Sequence, residues 1–118
     1  MKNGSSWSNC LVSISANRFL IVSKKRPALL LKSVPNSYED WLVCMISSKT
    51  GQEIIGLDEI ISPLDSDFSE TGLKSESVVR VSRLAVVSQK IFFGYIGQIS
   101  PERLTKIQTN LANWILNN

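Results

Sequence analysis

The chain has 118 residues, of which 43% are hydrophobic and 19% are charged, and its formal net charge is +3. This length suits one domain with a single core, and the composition is that of an ordinary globular protein. No apolar run approaches the roughly 20 residues needed to span a bilayer, and the first 23 residues do not favour a signal peptide, because Ser and Asn interrupt their apolar residues. We therefore expect one cytoplasmic domain over residues 1–118, without membrane contact.

The sequence contains no histidine, which excludes Ser-His triads, paired-histidine nuclease chemistry and histidine metal sites. Cys10 and Cys44 lack the spacing of zinc ligands, and we expect buried reduced thiols rather than a disulfide. There is no glycine-rich phosphate loop. Catalysis is left to arginine, lysine, hydroxyls and carboxylates, and neither a metal nor a cofactor is predicted.

Charge is distributed unevenly along the chain. Residues 1–49 carry seven basic and two acidic side chains, residues 50–79 one basic and seven acidic, and residues 80–118 five basic and one acidic. If the two basic segments share a face, that face would attract nucleic acid through its phosphates. The alternative is an ordinary mixed surface.

Several short apolar runs bounded by turn residues predict β-strands. Residues 1–9 are polar and predict a frayed end, whereas residues 10–14 and 19–22 predict a first strand or hairpin. A central hairpin is predicted from the runs 28–31 and 41–46, which are joined by a turn. Together with the later runs, this spacing indicates a small barrel or sandwich.

The acidic middle of the chain predicts little regular structure. Residues 58–64 favour an edge strand that ends at Pro63. Residues 65–72 (DSDFSETG) predict a polar loop or one helical turn closed by Gly72. Their carboxylates do not match a calcium loop, and a solvated turn is the prediction.

The last third combines strands with one helix. Residues 77–81 and 83–87 predict a strand that continues or turns a corner, and residues 91–96 predict a strand broken at Gly94. Ser100 and Pro101 are suited to begin a helix. Five residues then form one apolar stripe, which we expect to pack on the barrel or on a partner chain: Leu104, Ile107, Leu111, Trp114 and Ile115.

The central hairpin also suggests chemistry. Because its strands run in opposite directions, Arg26 and Ser47 could lie at the same end of the sheet. Guanidinium donors match phosphate oxygens, and a hydroxyl adds a further donor. Since RNA carries its own 2′-hydroxyl nucleophile, such groups could cleave it. The alternatives are a solvated basic turn at Lys24, Lys25 and Arg26 and an ordinary strand end at Ser47.

A charge also interrupts a later strand. Arg80 lies within the run Val78-Val79-Arg80-Val81, and strict alternation places it on the face opposite Val79 and Val81. It is therefore either exposed to solvent or lines a groove.

From about residue 24 to the C-terminus the chain resembles the PemK/MazF-type toxins of bacterial toxin–antitoxin modules. The resemblance is carried by the order and spacing of several short pieces over roughly 95 residues, and no single piece is specific. These pieces are KKRPALLL, VCMISSK, DEIISPL, DFSETGLK, SVVR and IGQIS, followed by a terminal helix.

The resemblance implies a mainly β fold, an SH3-like barrel with a C-terminal helix. It implies a sequence-selective, metal-independent endoribonuclease that cleaves single-stranded RNA and leaves 2′,3′-cyclic phosphate and 5′-hydroxyl ends. An antitoxin partner and a homodimer are also implied. The family's catalytic positions fall on Arg26, Ser47 and Arg80. RNA-binding positions are expected at Lys24, Lys25, Ser48, Lys49, Ser82 and Arg83.

Residues 1–23 depart from the family pattern, because they lack the Gly-Asp of its first strand, and residues 9–12 are a weak substitute. This departure leaves a second hypothesis open, a catalytically inactive module that binds RNA or an antitoxin on the same barrel. A third is a protein that poisons a topoisomerase, since a related toxin family shares the barrel.

Overall fold

The computed structural model describes residues 7–15 and 25–117. The strands are β1 (Cys10–Ser15), β2 (Lys25–Ser33), β3 (Asp40–Ser47), β4 (Glu59–Ile61), β5 (Ser77–Ser88) and β6 (Phe92–Gln98). The helices are α1 (Phe68–Thr71) and α2 (Pro101–Leu116), and a 3₁₀ turn at Gln89–Ile91 joins β5 to β6.

The six strands form one antiparallel sheet in the order β4-β5-β3-β2-β1-β6. Strand β5 is the longest, with 12 residues, and it bends where its register against β3 shifts between Cys44 and Met45. Local disruptions of this kind increase strand twist. The predicted mainly β fold with a C-terminal helix is confirmed.

The central strands are buried on both faces, so the sheet has two apolar layers. One face packs against α2 and includes Leu29, Leu31 and Val79. The other face includes Ala28, Leu30 and Val43. Because alternate residues point to opposite faces, a strand covered on both sides appears in the sequence as a continuous apolar run such as residues 28–31.

The strand predictions are confirmed in place, with adjusted ends. The edge strand β4 is shorter than residues 58–64, and residues 77–81 and 83–87 belong to one continuous strand, β5. Strand β6 continues through Gly94, although its register against β1 shifts twice. The predicted run at 19–22 lies outside the described residues. The sequence predicts that residues 1–9 fray, but Asn9 is anchored to the start of α2, because its side-chain amide donates to the Ile99 carbonyl at 2.8 Å.

The first strand is present despite its atypical sequence. Strand β1 lies between β2 and β6, and its residue Leu11 is opposite Leu29 on one side and Gly97 on the other. Leu11 and Val12 are buried, one on each face of the sheet. The weak substitute at residues 9–12 therefore fills a structural position in the sheet.

Helix α2 begins as predicted, because the Ser100 hydroxyl accepts the Arg103 N–H at 3.1 Å and Pro101 occupies the first turn. Its apolar stripe is divided. Ile107 and Leu111 are buried against the sheet, whereas the side chains of Trp114 and Ile115 are 56% and 60% exposed. The end of the stripe is therefore not part of the core formed by residues 7–15 and 25–117, and packing on a partner chain stays a prediction.

The predicted helical turn closed by Gly72 is confirmed, whereas the predicted exposure of its carboxylates to solvent is wrong for Asp67. Residues 68–71 form α1, and Gly72 ends it with φ of 74°. Asp67 is buried, because its carboxylate bonds to the guanidinium of Arg103. A long-range ion pair, which local composition does not show, explains the difference.

Candidate active site

Strand register brings the three predicted catalytic residues onto neighbouring strands. Ala28 of β2 is opposite Met45 of β3 where their pairing ends, and Arg26 and Ser47 each lie two residues beyond that pair on their own strands. On the other side of β3, Arg80 of β5 is opposite Met45. Directly opposed residues have Cβ atoms about 5 Å apart. The site thus extends over three adjacent strands.

These residues also share one face of the sheet. Ala28 and Met45 belong to the apolar layer away from α2, and Arg26 and Ser47 lie two residues from them along their strands, hence on the same side. Arg80 faces the same way, because its neighbours Val79 and Val81 belong to the opposite layer. A hydroxyl and two guanidinium groups therefore line the end of one apolar layer.

Arg26 lies at the exposed end of this layer. Arg26 and the adjacent Lys25 are exposed at the beginning of β2 rather than in a turn. The Lys25 ammonium lies 4.8 Å from the centre of the Phe93 ring, within the range of a cation–π contact. Among the described residues no ion pair neutralises Arg26. Its positive charge is thus available to an anion.

The Ser47 hydroxyl accepts one hydrogen bond within the chain. Ser47 ends β3, and its oxygen accepts the Lys49 N–H at 3.0 Å in a tight turn. This bond uses a lone pair and leaves the hydroxyl hydrogen able to donate. Ser47 is both a strand end and a potential donor toward a phosphate oxygen.

The Arg80 side chain is largely buried beside a carboxylate rather than extended into solvent. It is 18% exposed, and Nε lies 3.4 Å from Oδ2 of Asp58, whose side chain is fully buried. Sequence analysis missed Asp58, which it treated only as the start of an edge strand. The β4–β5 pairing carries this carboxylate to Arg80, and no local pattern at residue 58 indicates it.

The other predicted RNA-binding residues lie around this group. Ser48, Lys49 and Arg83 are exposed. Ser82 lies in the irregular part of β5, and its N–H donates to Asp58 Oδ1 at 3.0 Å. Lys24 lies outside the described residues, so its position in the site stays a prediction.

Most of the acidic segment, apart from the Asp58 carboxylate beside Arg80, lies near the start of α2. A cavity of about 780 Å³ opens there, and none of the predicted catalytic residues lines it. Six acidic residues line the cavity, with Arg103 and Lys106 as the basic ones: Glu53, Asp58, Glu59, Asp65, Asp67 and Glu102. Such a wall repels phosphate. A phosphate group is thus favoured at the basic end of the sheet rather than in this cavity.

Residues 20–115 match the family of PemK-like, MazF-like toxins of type II toxin–antitoxin systems. The chain belongs to this family. A search of curated proteins found no match. The family match begins at residue 20, near the end of the atypical residues 1–23, and includes Arg26, Ser47 and Arg80.

Solved structures of toxins share the fold. A mycobacterial endoribonuclease in complex with its cognate antitoxin is 16% identical, with a TM-score of 0.64, covering 93% of this chain and 94% of that one. A second mycobacterial endoribonuclease is 15% identical, with a TM-score of 0.65, covering 94% and 91%. The Mycobacterium tuberculosis toxin MazF-mt6 is 16% identical, with a TM-score of 0.63, covering 91% and 97%.

The structural likeness extends beyond the part of the chain matched by the PemK/MazF family. Because over nine-tenths of the chain superimposes on these toxins, the likeness extends into the region before residue 20. Neither helix in residues 7–15 and 25–117 is long and apolar enough to cross a membrane.

Proposed function

We propose that this PemK/MazF-family chain is an endoribonuclease that cleaves single-stranded RNA at short sequences without a metal ion. The observation that carries the proposal is the placement of Arg26, Ser47 and Arg80 on one face of three adjacent strands. Endoribonuclease is also the activity named for two of the toxins with this fold.

The proposed reaction is an internal transfer at phosphorus. The 2′-oxygen bonds to phosphorus as its hydrogen leaves to solvent, and the bond from phosphorus to the 5′-oxygen breaks. The 5′-oxygen takes up a proton, which leaves a 2′,3′-cyclic phosphate and a 5′-hydroxyl. The protein must align these atoms and stabilise the extra negative charge on the phosphate oxygens.

The three side chains divide this task. Arg26, which is exposed, binds the phosphate oxygens and donates the proton to the leaving oxygen, since an arginine is a poor proton acceptor. Ser47 donates its hydroxyl hydrogen to a phosphate oxygen, and Arg80 adds positive charge from the third strand. Lys25, Lys49 and the nearby exposed basic residues hold the flanking phosphates. The chain forms a homodimer. Its partner in the cell is a cognate antitoxin, which covers this basic surface.

The test is incubation of the purified protein with a long single-stranded RNA in excess EDTA. Arg26→Ala is run beside Lys32→Ala, which removes a positive charge from the other end of β2. We expect discrete fragments with cyclic phosphate and 5′-hydroxyl ends from the wild type and Lys32→Ala, and none from Arg26→Ala. Cleavage by Arg26→Ala would refute its role. Tight RNA binding by a folded wild type without any product would favour the inactive binding module.

A further inference from the structure

One buried donor beside the candidate site has no acceptor. In the described part of the chain, the Nε atom of Arg80 is the buried side-chain nitrogen without a hydrogen-bond partner. Asp58 Oδ2 lies 3.4 Å away, close enough for an ion pair, but the N–H is not aligned with it as a hydrogen bond requires. A buried donor in this state calls for an explanation.

The Asp58 carboxylate is fixed by the main chain and not by Arg80. Its Oδ2 accepts the Ile54 N–H at 3.0 Å, and its Oδ1 accepts the Ser82 N–H at 3.0 Å. With the side chain fully buried, the negative charge is held rigidly between the turn before β4 and the bend of β5. It acts on Arg80 through its charge, since the hydrogen-bonding positions are largely taken.

The rest of the Arg80 side chain is unconstrained by comparison with Arg103. Arg103 donates from all three of its guanidinium nitrogens to Glu59, Asp65, Asp67 and the Ile60 carbonyl. Arg80, in the same described residues, has only the misaligned ion pair with Asp58. One arginine is fully engaged in the structure, and the other keeps donors for a ligand.

We propose that Asp58 is a positioning residue, whose buried carboxylate attracts the Nε side of Arg80 and so orients the terminal nitrogens toward the scissile phosphate. This role rests on the proposed function, because Arg80 meets a scissile phosphate only if the chain cleaves RNA. It differs from a purely structural role, in which Asp58 only closes the turn at Ile54 and the bend at Ser82. The two roles predict different effects on cleavage and on Tm when the Asp58 carboxylate is replaced by the uncharged amide of asparagine.

The first test is a double-mutant cycle with Asp58→Asn, Arg80→Gln and the double variant, measuring kcat and KM on one RNA in EDTA. Asp58→Asn is expected to lower kcat by about tenfold or more while KM changes less than about twofold. The double variant should cleave as fast as Arg80→Gln alone, because Asp58 acts only through Arg80. An equal fall in kcat from Asp58→Asn in both backgrounds would overturn the proposal. Glu70→Gln, which neutralises an exposed carboxylate on α1, is the control.

The second test needs no cleavage, so it separates this proposal from the proposed function. Asp58→Asn should lower the Tm of the wild type, since it removes the attraction to Arg80. In the Arg80→Gln background the same change should lower the Tm less, because both backgrounds lose a main-chain acceptor but only the wild type also loses the attraction to Arg80. If Asp58→Asn alone does not fold, Arg80→Gln carries the test: it keeps both main-chain bonds of Asp58 and should still lower the Tm, because it leaves a buried carboxylate without its counter-ion. Equal falls in Tm from Asp58→Asn in the two backgrounds, or an unchanged Tm in Arg80→Gln, would show that Asp58 serves only the main chain.

Discussion

The guanidinium of Arg103 forms a bidentate salt bridge with Asp67, with Nε 2.9 Å from Oδ2 and Nη2 2.9 Å from Oδ1. Arg103 also binds Asp65 and Glu59, and so connects the start of α2 to α1 and to the edge strand β4. The Arg103 side chain is 11% exposed and that of Asp67 is 7% exposed. Substitution of one partner would leave a buried charge without compensation.

Arg103→Ala is therefore expected to lower the free energy of unfolding by about 3–5 kcal/mol, measured by urea titration. The matched control is Lys106→Ala, whose side chain is 63% exposed in its pair with Glu59. That loss should be less than about 1 kcal/mol, because water screens the exposed pair. Equal losses for the two variants would contradict the structural role of Arg103.

The same network predicts acid sensitivity. Hydrogen bonds lower the pKa of both carboxyls. For Asp65 the largest contribution comes from the Ser62 N–H, followed by Arg103. For Asp67 it comes from Arg103, with a smaller one from the Ser100 N–H. Because the folded pKa values are lowered, the stability they give is complete above the ordinary aspartate pKa of about 3.9. It is lost as pH falls through the folded values. The Tm should fall below about pH 4, and Arg103→Ala should flatten this dependence; an unchanged slope in the variant would argue against it.

Local features of the sequence were sufficient for the strands, the helix cap and the central hairpin of β2 and β3. Continuous apolar runs predict strands buried on both faces, and an antiparallel hairpin fixes which of its ends meet. The missed features join distant residues: Asp67 and Arg103 are 36 positions apart, and Asp58 and Ser82 are 24 apart. Patterns of hydrophobicity specify faces, but they do not specify which buried charge finds which partner.

Ser47→Ala should lower kcat by about 10²–10³, the usual effect of removing one donor to a developing oxyanion. Ser47→Thr keeps the hydroxyl and should retain most activity. The control is Ser69→Ala, an exposed serine on α1. Rates are measured on one RNA in EDTA, with Tm to verify folding. Wild-type kcat in folded Ser47→Ala would exclude this hydroxyl from catalysis.

Gly97 lies where α1 and β6 meet, and the position requires glycine because the main chain of α1 leaves no room for a Cβ atom. A Cβ added there would collide with the main-chain carbonyls of Glu70 and Thr71, whereas one added at Gly94, on the same strand, meets nothing. Gly97→Ala should cost about 1–3 kcal/mol of unfolding free energy. Gly94→Ala should be neutral or stabilising by up to about 1 kcal/mol. Chemical denaturation distinguishes them, and a neutral Gly97→Ala would mean that α1 can move away freely.

The two cysteines should be unreactive in the folded protein. Both are buried and neither forms a disulfide, and they belong to opposite faces of the sheet. Burial, with a smaller contribution from the charge of Asp58, raises the pKa of the Cys44 thiol to about 12. A thiol reagent at pH 8 should label neither residue until denaturant is added, and then both. Rapid labelling of the native protein would contradict the burial.

The two halves of α2 should respond differently to truncation. Ile107 is fully buried against the sheet, and Ile107→Ala should cost about 2–5 kcal/mol through lost contacts and a cavity. Ile115, on the same helix, is 60% exposed, and Ile115→Ala should cost less than about 0.5 kcal/mol if that face meets only water. Denaturation at two protein concentrations completes the test. A large, concentration-dependent loss for Ile115→Ala would show instead that a second copy of the chain covers the end of the helix.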